Sequence, residues 1–229
     1  MIFIFIFFLG LSLLVSWRFK SKVNKYSQIS LVQDLSGAEI AEKMLRENGI
    51  YDVKVQTTEG QLSDHYNPLD KTVNLSRDVF YGRNVTSAAV AAHECGHAVQ
   101  HAIAYPYLKF RSAMVPVQNA SAKVMNIIIL VMMFGGFLLA KSFPFELVIT
   151  TLIACQSVIT LFALVTLPVE FDASKRALAW LTTKGVVQTN EHGMAKDALN
   201  WAAMTYVVAA LSAVATLLYY VMMLTGRRD

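Results

Sequence analysis

Long apolar stretches alternate with polar ones along this chain. Residues 1–17 form an almost charge-free run of aliphatic and aromatic side chains, followed at once by Arg18, Lys20, Lys22 and Lys25. Further apolar runs cover residues 124–140, 147–167 and 202–224. Each predicts a membrane-crossing helix. The middle two are joined only by Lys141-Ser142-Phe143-Pro144-Phe145-Glu146, so they make a hairpin. At about 1.5 Å per residue, a run of 17 residues reaches only about 25 Å of a hydrocarbon core near 30 Å. Snorkelling by Arg18, Lys123 or Lys141, or local thinning, covers the shortfall. In the first run the positive charge follows the apolar core and no small-residue cleavage site is present, so it reads as an uncleaved anchor and not as a secretory signal.

The polar stretch between the first two runs has the patterning of a small α+β module. Ser36 is placed to cap a helix over 38–47 with Ile40, Met44 and Leu45 on one face, and Asn48-Gly49 is a stop signal. Residues 51–55 alternate like a half-buried strand. Residues 61–66 and 71–75, joined by Asn67-Pro68-Leu69-Asp70, predict a hairpin. A helix over 85–102 follows, with Asn84 or Thr86 as its cap. The expected fold is an integral membrane α-helical protein with about four transmembrane helices and a small α+β module. Its segments are an anchor at 1–17, the module at 18–123, a transmembrane hairpin at 124–168, a polar segment at 169–201 and a last span at 202–225.

Composition agrees with that class. The chain is 55% hydrophobic, with mean hydropathy +0.45 and net charge +4. Of its 20 Lys and Arg residues, 17 fall in 18–126 and 169–200, and three fall in the hairpin turn and at Arg227-Arg228. The positive-inside rule therefore places the polar segments in the cytoplasm, although Arg227 and Arg228 run against it. That topology explains a pI near 9.0 without nucleic acid. No Gly-rich phosphate loop, Ser/His/Asp set or nucleic-acid motif is present.

One stretch names a chemistry. His93-Glu94-Cys95-Gly96-His97 is an H-E-x-x-H run inside the predicted helix 85–102. Residues four apart share a helix face, so His93 and His97 can aim at one metal ion, for which zinc is the best fit. Glu94 lies about 100° round the helix from His93, close enough to take a proton from an attacking water without becoming a ligand. A catalytic zinc site needs three protein ligands and an open fourth position. A third ligand six residues after His97 would fall at Ile103, which cannot bind metal. His101 lies one turn beyond His97, but three successive i, i+4 histidines on a straight helix hardly converge, so a hydrogen-bonding or rim role suits it better. The stronger candidates lie downstream, in residues 167–177. Two crossings between His97 and that segment return the chain to the side it left.

His93-Glu94-Cys95-Gly96-His97, a hydrophobic hairpin and then Pro168-Val169-Glu170-Phe171-Asp172-Ala173-Ser174 resemble the YugP-like family of bacterial membrane zinc metallopeptidases. The likeness runs from about residue 36 to 220 and includes Leu35-Ser36-Gly37-Ala38, Asp64-His65-Tyr66-Asn67-Pro68 and Tyr81-Gly82-Arg83. More distantly the chain is similar to HtpX-like membrane gluzincins, whose E-[FY]-x-x-D motif supplies a glutamate as third ligand. The resemblance implies a zincin-like module, one Zn²⁺ per chain held by His93, His97 and Glu170, Glu94 as catalytic base, and a multi-pass place in the bacterial plasma membrane. The distant pattern's aspartate would fall at Ser174. The nearest acid is instead Asp172, which leaves the partner of the ligands open.

Other residues have blander readings beside functional ones. Asp64 and His65 suit turn hydrogen bonds better than a second metal site. His192, in a loop-like Thr189-Asn190-Glu191-His192-Gly193, could stabilise an oxyanion if folded over the metal, but an exposed loop histidine is commoner. Cys95 faces away from the metal, and Gln156 suits a hydrogen bond across membrane helices. A strand just before the metal helix, 73–75 or the one preceding it, could bind peptide by strand addition.

The expected activity is a membrane-anchored zinc endopeptidase of gluzincin type acting on peptides or on unfolded or membrane proteins. The alternative is a catalytically silent zinc-binding scaffold or partner protein, against which Glu94 argues, since a closed structural site has no use for a base. Membrane lipid and a peptide or protein substrate are the implied partners, with a membrane-protein partner or homo-oligomer left open. A cysteine placed at Glu59 should be shielded from impermeant thiol reagents in intact cells and react after lysis. Labelling without lysis would invert the orientation.

Overall fold

In the computed structural model, residues 2–139 and 144–226 are described; the expected hairpin turn at Lys141, Ser142 and Phe143, and Arg227 and Arg228, lie outside the described residues. The elements are α1 (Ile2–Tyr26), α2 (Gly37–Glu47), β1 (Lys54–Thr58), β2 (His65–Asn67), β3 (Thr72–Ser76), α3 (Arg77–Tyr81), α4 (Val85–Ala102), α5 (Pro106–Leu139), α6 (Phe145–Thr183) and α7 (Thr189–Thr225). Among the described residues four helices, α1, α5, α6 and α7, are long and apolar enough to cross a membrane. The short reach of the apolar runs is resolved by helix continuing into their polar flanks. Even α1, at 25 residues, spans about 38 Å.

The chain forms two compact units, one of residues 1–13, 110–167 and 206–229, the other of 14–109 and 168–205. In the first, Met125, Ile149, Leu152 and Tyr220 form a small buried cluster. Phe3, Ile127, Leu130, Phe134, Leu147 and Leu218 are exposed, a surface suited to hydrocarbon and not to water. Gln156 and Thr160 of α6 both donate to the Ala213 carbonyl of α7, at 3.0 and 3.1 Å. This is the cross-helix role expected of Gln156.

The second unit has the larger core. Ile40 and Met44 of α2, Val73 and Leu75 of β3, and Ala88, Ala92 and Cys95 of α4 are all essentially inaccessible and belong to one cluster with Leu181, Ala195 and Leu199. The α2 cap is reciprocal: Glu39 N–H donates to Ser36 Oγ, and Ser36 N–H donates to Glu39 Oε2. The helix stops at Asn48, and Gly49 takes φ +73°, a conformation glycine adopts without strain.

The sheet has the order β1-β3-β2, with β1 parallel and β2 antiparallel to β3. The first strand lies at Lys54–Thr58, three residues later than the alternation of 51–55 suggested, because pairing with Thr72–Ser76 sets the register and leaves Tyr51 outside, 79% exposed. The second strand is shorter than expected. Leu62 takes φ +55°, so the chain enters extended pairing only at His65. Central β3 pairs with β1 along its whole length and with β2 at residues 72–74, so residues 73 and 74 are occupied on both sides; the outer strands are β1 and β2.

Gln156→Leu should lower stability in detergent by about 0.6 kcal/mol and at most about 1.7, the range for hydrogen bonds between membrane helices. Adding Thr160→Val should lower it further. An unchanged unfolding midpoint in the double variant would show that the Ala213 carbonyl gains nothing from them.

Candidate metal centre

Helix α4 is organised for close approach. Its start is fixed by Asn84, whose Oδ1 accepts from Ser87 N–H at 2.9 Å. Ala88, Ala89, Ala91 and Ala92 are fully buried, so neighbouring elements meet a nearly smooth surface. At Gly96, inside the H-E-x-x-H run, a Cβ would stand 2.7 Å from the Ala173 carbonyl oxygen and 3.1 Å from its Cα. Here α4 and α6 touch backbone to backbone. Val169, Ala173 and Ala177, spaced by four on α6, are fully buried.

That approach brings Glu170 to the two histidines. Glu170 Oε2 lies 3.4 Å from His93 Nε2 and 3.6 Å from His97 Nε2, and the three donor atoms all fall within 4.8 Å of one another. Glu170 and His97 are buried and His93 is half-buried. Glu94 is buried beside them. Burial disfavours the charged form of His97, but the Glu170 and Glu94 carboxylates outweigh it and raise the imidazole pKa above its ordinary value.

The outer nitrogens are tethered by two different groups. His93 Nδ1 is hydrogen-bonded to Ser174 Oγ at 3.1 Å. His97 Nδ1 is hydrogen-bonded to Gln100 Oε1 at 3.0 Å. Gln100 in turn donates to the Val169 carbonyl at 2.8 Å and to Asp172 Oδ2 at 2.9 Å, and Arg176 Nε donates to the same Asp172 oxygen at 2.6 Å. Both histidines therefore turn Nε2 toward Glu170.

These residues fit a zinc ion. Tetrahedral zinc with N and O ligands at 2.0–2.2 Å has its donors roughly 3.3–3.5 Å apart, close to two of the three separations, those from Glu170; the two imidazole nitrogens lie within 4.8 Å of each other. Two imidazoles and one carboxylate are also the donor types of a known catalytic class with an open fourth position.

Residues 1–225 match the family described as "Putative neutral zinc metallopeptidase". The chain belongs to this family. It is similar to the protein named "Putative membrane protease YugP" of Bacillus subtilis (strain 168), with 39% identity over 228 residues, 100% of this chain and 98% of that protein. No solved structure matches the chain. The resemblance read from the motifs is thus shown over the whole length, and zinc is the metal the family name carries.

Within this zinc metallopeptidase family chain, the remaining candidates separate cleanly. Asp172 reaches His97 only through Gln100, whereas Ser174 takes the place beside His93 where the distant motif has aspartate. The sequence reading gave Gln100 no role and named Ser174 only as the place of a missing aspartate, yet both signals were there. Gln100 follows His97 by three residues and Ser174 follows Glu170 by four, so each shares a helix face with a candidate ligand. His101 stays outside the cluster and is hydrogen-bonded through Nδ1 to Tyr66 OH at 2.7 Å. His192 is not in a loop. It lies in the first turn of α7, because Glu191 accepts from Gln188 N–H at 2.7 Å and from Val32 N–H at 2.9 Å and so fixes the helix start. His65 Nδ1 is hydrogen-bonded to the Ser63 carbonyl at 2.8 Å, the local turn role expected of it, whereas Asp64 accepts from Ser76 N–H at 2.7 Å and so reaches across to the end of β3 instead of closing its own turn. The Cys95 thiol points to the Ala41 carbonyl, and burial pushes its pKa well above the ordinary value.

Gly96→Ala must separate the two helix backbones at Ala173, an overpacking that should cost about 1–3 kcal/mol. Gly96→Val should cost more. A melting temperature unchanged in both variants would contradict the backbone contact.

Proposed function

We propose that this chain is a membrane-anchored zinc endopeptidase of gluzincin type, with a zincin-like module in residues 18–123 and 169–201. The observation that carries the reading is the convergence of His93, His97 and Glu170, whose donor atoms come from α4 and α6 to within 4.8 Å of one another. In this reading the three residues hold one Zn²⁺. When bound, zinc supplies a Lewis acid that polarises a carbonyl and lowers the pKa of a coordinated water to about 7.

The chain's own residues do the rest. Glu94 follows His93 directly and shares its field with His97, which supports a role as proton acceptor from the attacking water and then donor to the leaving amine. Gln100 and Ser174 hold the imidazoles in orientation. The β2 edge offers an extended peptide unpaired main-chain groups. Substrates are peptides or unfolded or membrane proteins, and the charge distribution supports a plasma-membrane protein with this site on the cytoplasmic side.

Purified protein should carry about one zinc per chain, and Glu170→Ala should lose most of it. Glu94→Gln keeps size and polarity, so zinc content and thermal stability should stay near wild type while chelator-sensitive cleavage of casein falls about 10²–10⁴-fold. Equal cleavage by wild type and Glu94→Gln would remove Glu94 from the chemistry. No cleavage by either protein across a broad peptide library, with zinc bound, would sink the peptidase reading and leave a zinc-binding scaffold.

A further inference from the structure

Gln100 is fully inaccessible, in the last turn of α4, where that helix packs on α6. A buried primary amide is costly unless its donors and acceptor are all used. Here all are used. The two N–H groups go to the Val169 carbonyl and Asp172 Oδ2, both on α6, and the oxygen goes to His97 Nδ1 on α4. Two acceptors on one side fix the amide's orientation, so Oε1 must face the imidazole and accept its Nδ1–H. That leaves the His97 Nε2 lone pair directed at Glu170, the residue next to Val169.

We infer that Gln100 is a positioning residue for the metal, transmitting the anchorage of Asp172 and Arg176 on α6 to the tautomer and direction of His97 on α4. The inference rests on the reading of His93, His97 and Glu170 as zinc ligands. The neutral amide passes on the orientation and adds no charge beside the candidate ligands. Asp172 stays one group further out, where Arg176 Nε bonds it at 2.6 Å and the Arg176 guanidinium stands over the Tyr105 ring at 5.9 Å. The same amide ties the ligand-bearing turn of α6 to α4, so helix docking and metal geometry depend on one side chain.

The test is zinc affinity measured by chelator competition on the full-length protein in detergent, with melting temperature and helix content followed in parallel. Gln100→Met keeps the volume and removes all three bonds. It should weaken zinc binding by about 10- to 100-fold, the usual effect of losing a group that orients a metal-bound histidine. Asp172→Ala should weaken zinc several-fold in the wild-type background and hardly at all on Gln100→Met, because its effect passes through the amide. Ser174→Ala, acting on His93, should instead multiply with Gln100→Met. Unchanged zinc affinity in Gln100→Met, with only a lower melting temperature, would overturn the inference and leave Gln100 as helix packing. Independent effects of Asp172→Ala and Gln100→Met would also overturn it. Should Gln100→Met not fold, Asp172→Ala alone decides, and wild-type affinity there counts against the inference. A wild-type protein that binds no zinc, or binds it equally well as Glu170→Ala, would remove the ligand reading itself, a result distinct from any of these.

Discussion

The contact between Gly96 and Ala173 is the constraint on which the candidate site depends. Two helix backbones can approach this closely only where one of them has no side chain, and the glycine sits between the two histidines of the motif. Any larger residue would hold α6 away by part of an ångström or more. Glu170 would then fall short of both imidazoles, and the Gln100 bonds to Val169 and Asp172 would lengthen with it. The alanines of α4 and the Val169, Ala173, Ala177 row of α6 extend the same logic along the interface. Packing of small side chains, and not any single polar bond, sets the distance at which the polar groups meet.

Electrostatics then gives that geometry its direction. Two carboxylates and two imidazoles share a largely buried volume, where unbalanced charge is costly. The Glu170 and Glu94 carboxylates raise the His97 pKa against the effect of burial, so they favour a positive charge among them. A proton can supply it, and so can a divalent ion with the donor spacing seen here. The tethers on the far side of each imidazole are an uncharged hydroxyl and an uncharged amide, so they orient the rings and add no further negative charge. The thiol of Cys95, on the opposite side of α4, is kept protonated by burial and stays out of this chemistry.

Much of the site was legible in the chain because helical periodicity converts spacing into direction. His93 and His97 had to share a face, Cys95 had to look away, and the Val85–Ala102 helix follows from its cap and its alanines. Ser36 announced the start of α2, and Asn48-Gly49 its end, in the same way. The errors came where a partner, and not a local pattern, decides. The register of β1 was set by β3, the position of β3 inside the sheet could not be read from its own residues, and the segment around His192 became helix because Glu191 found both Gln188 and Val32.

By itself the sequence determined four apolar runs suited to crossing a membrane, and an H-E-x-x-H spacing whose 3.6-residue period puts two histidines on one helix face. It narrowed the candidate for a third ligand to a segment about 70 residues further along the chain, and likeness to a known family pointed to Glu170 within it. Only the tertiary structure decided that Glu170 meets both histidines, that Ser174 and not Asp172 stands beside His93, and that Gln100 carries Asp172 to His97. The reason is physical. Local rules fix which way a side chain leaves its own helix, but the distance between two helices is fixed by the residues that pack between them, and here those are a glycine and a row of alanines whose partners lie far along the chain.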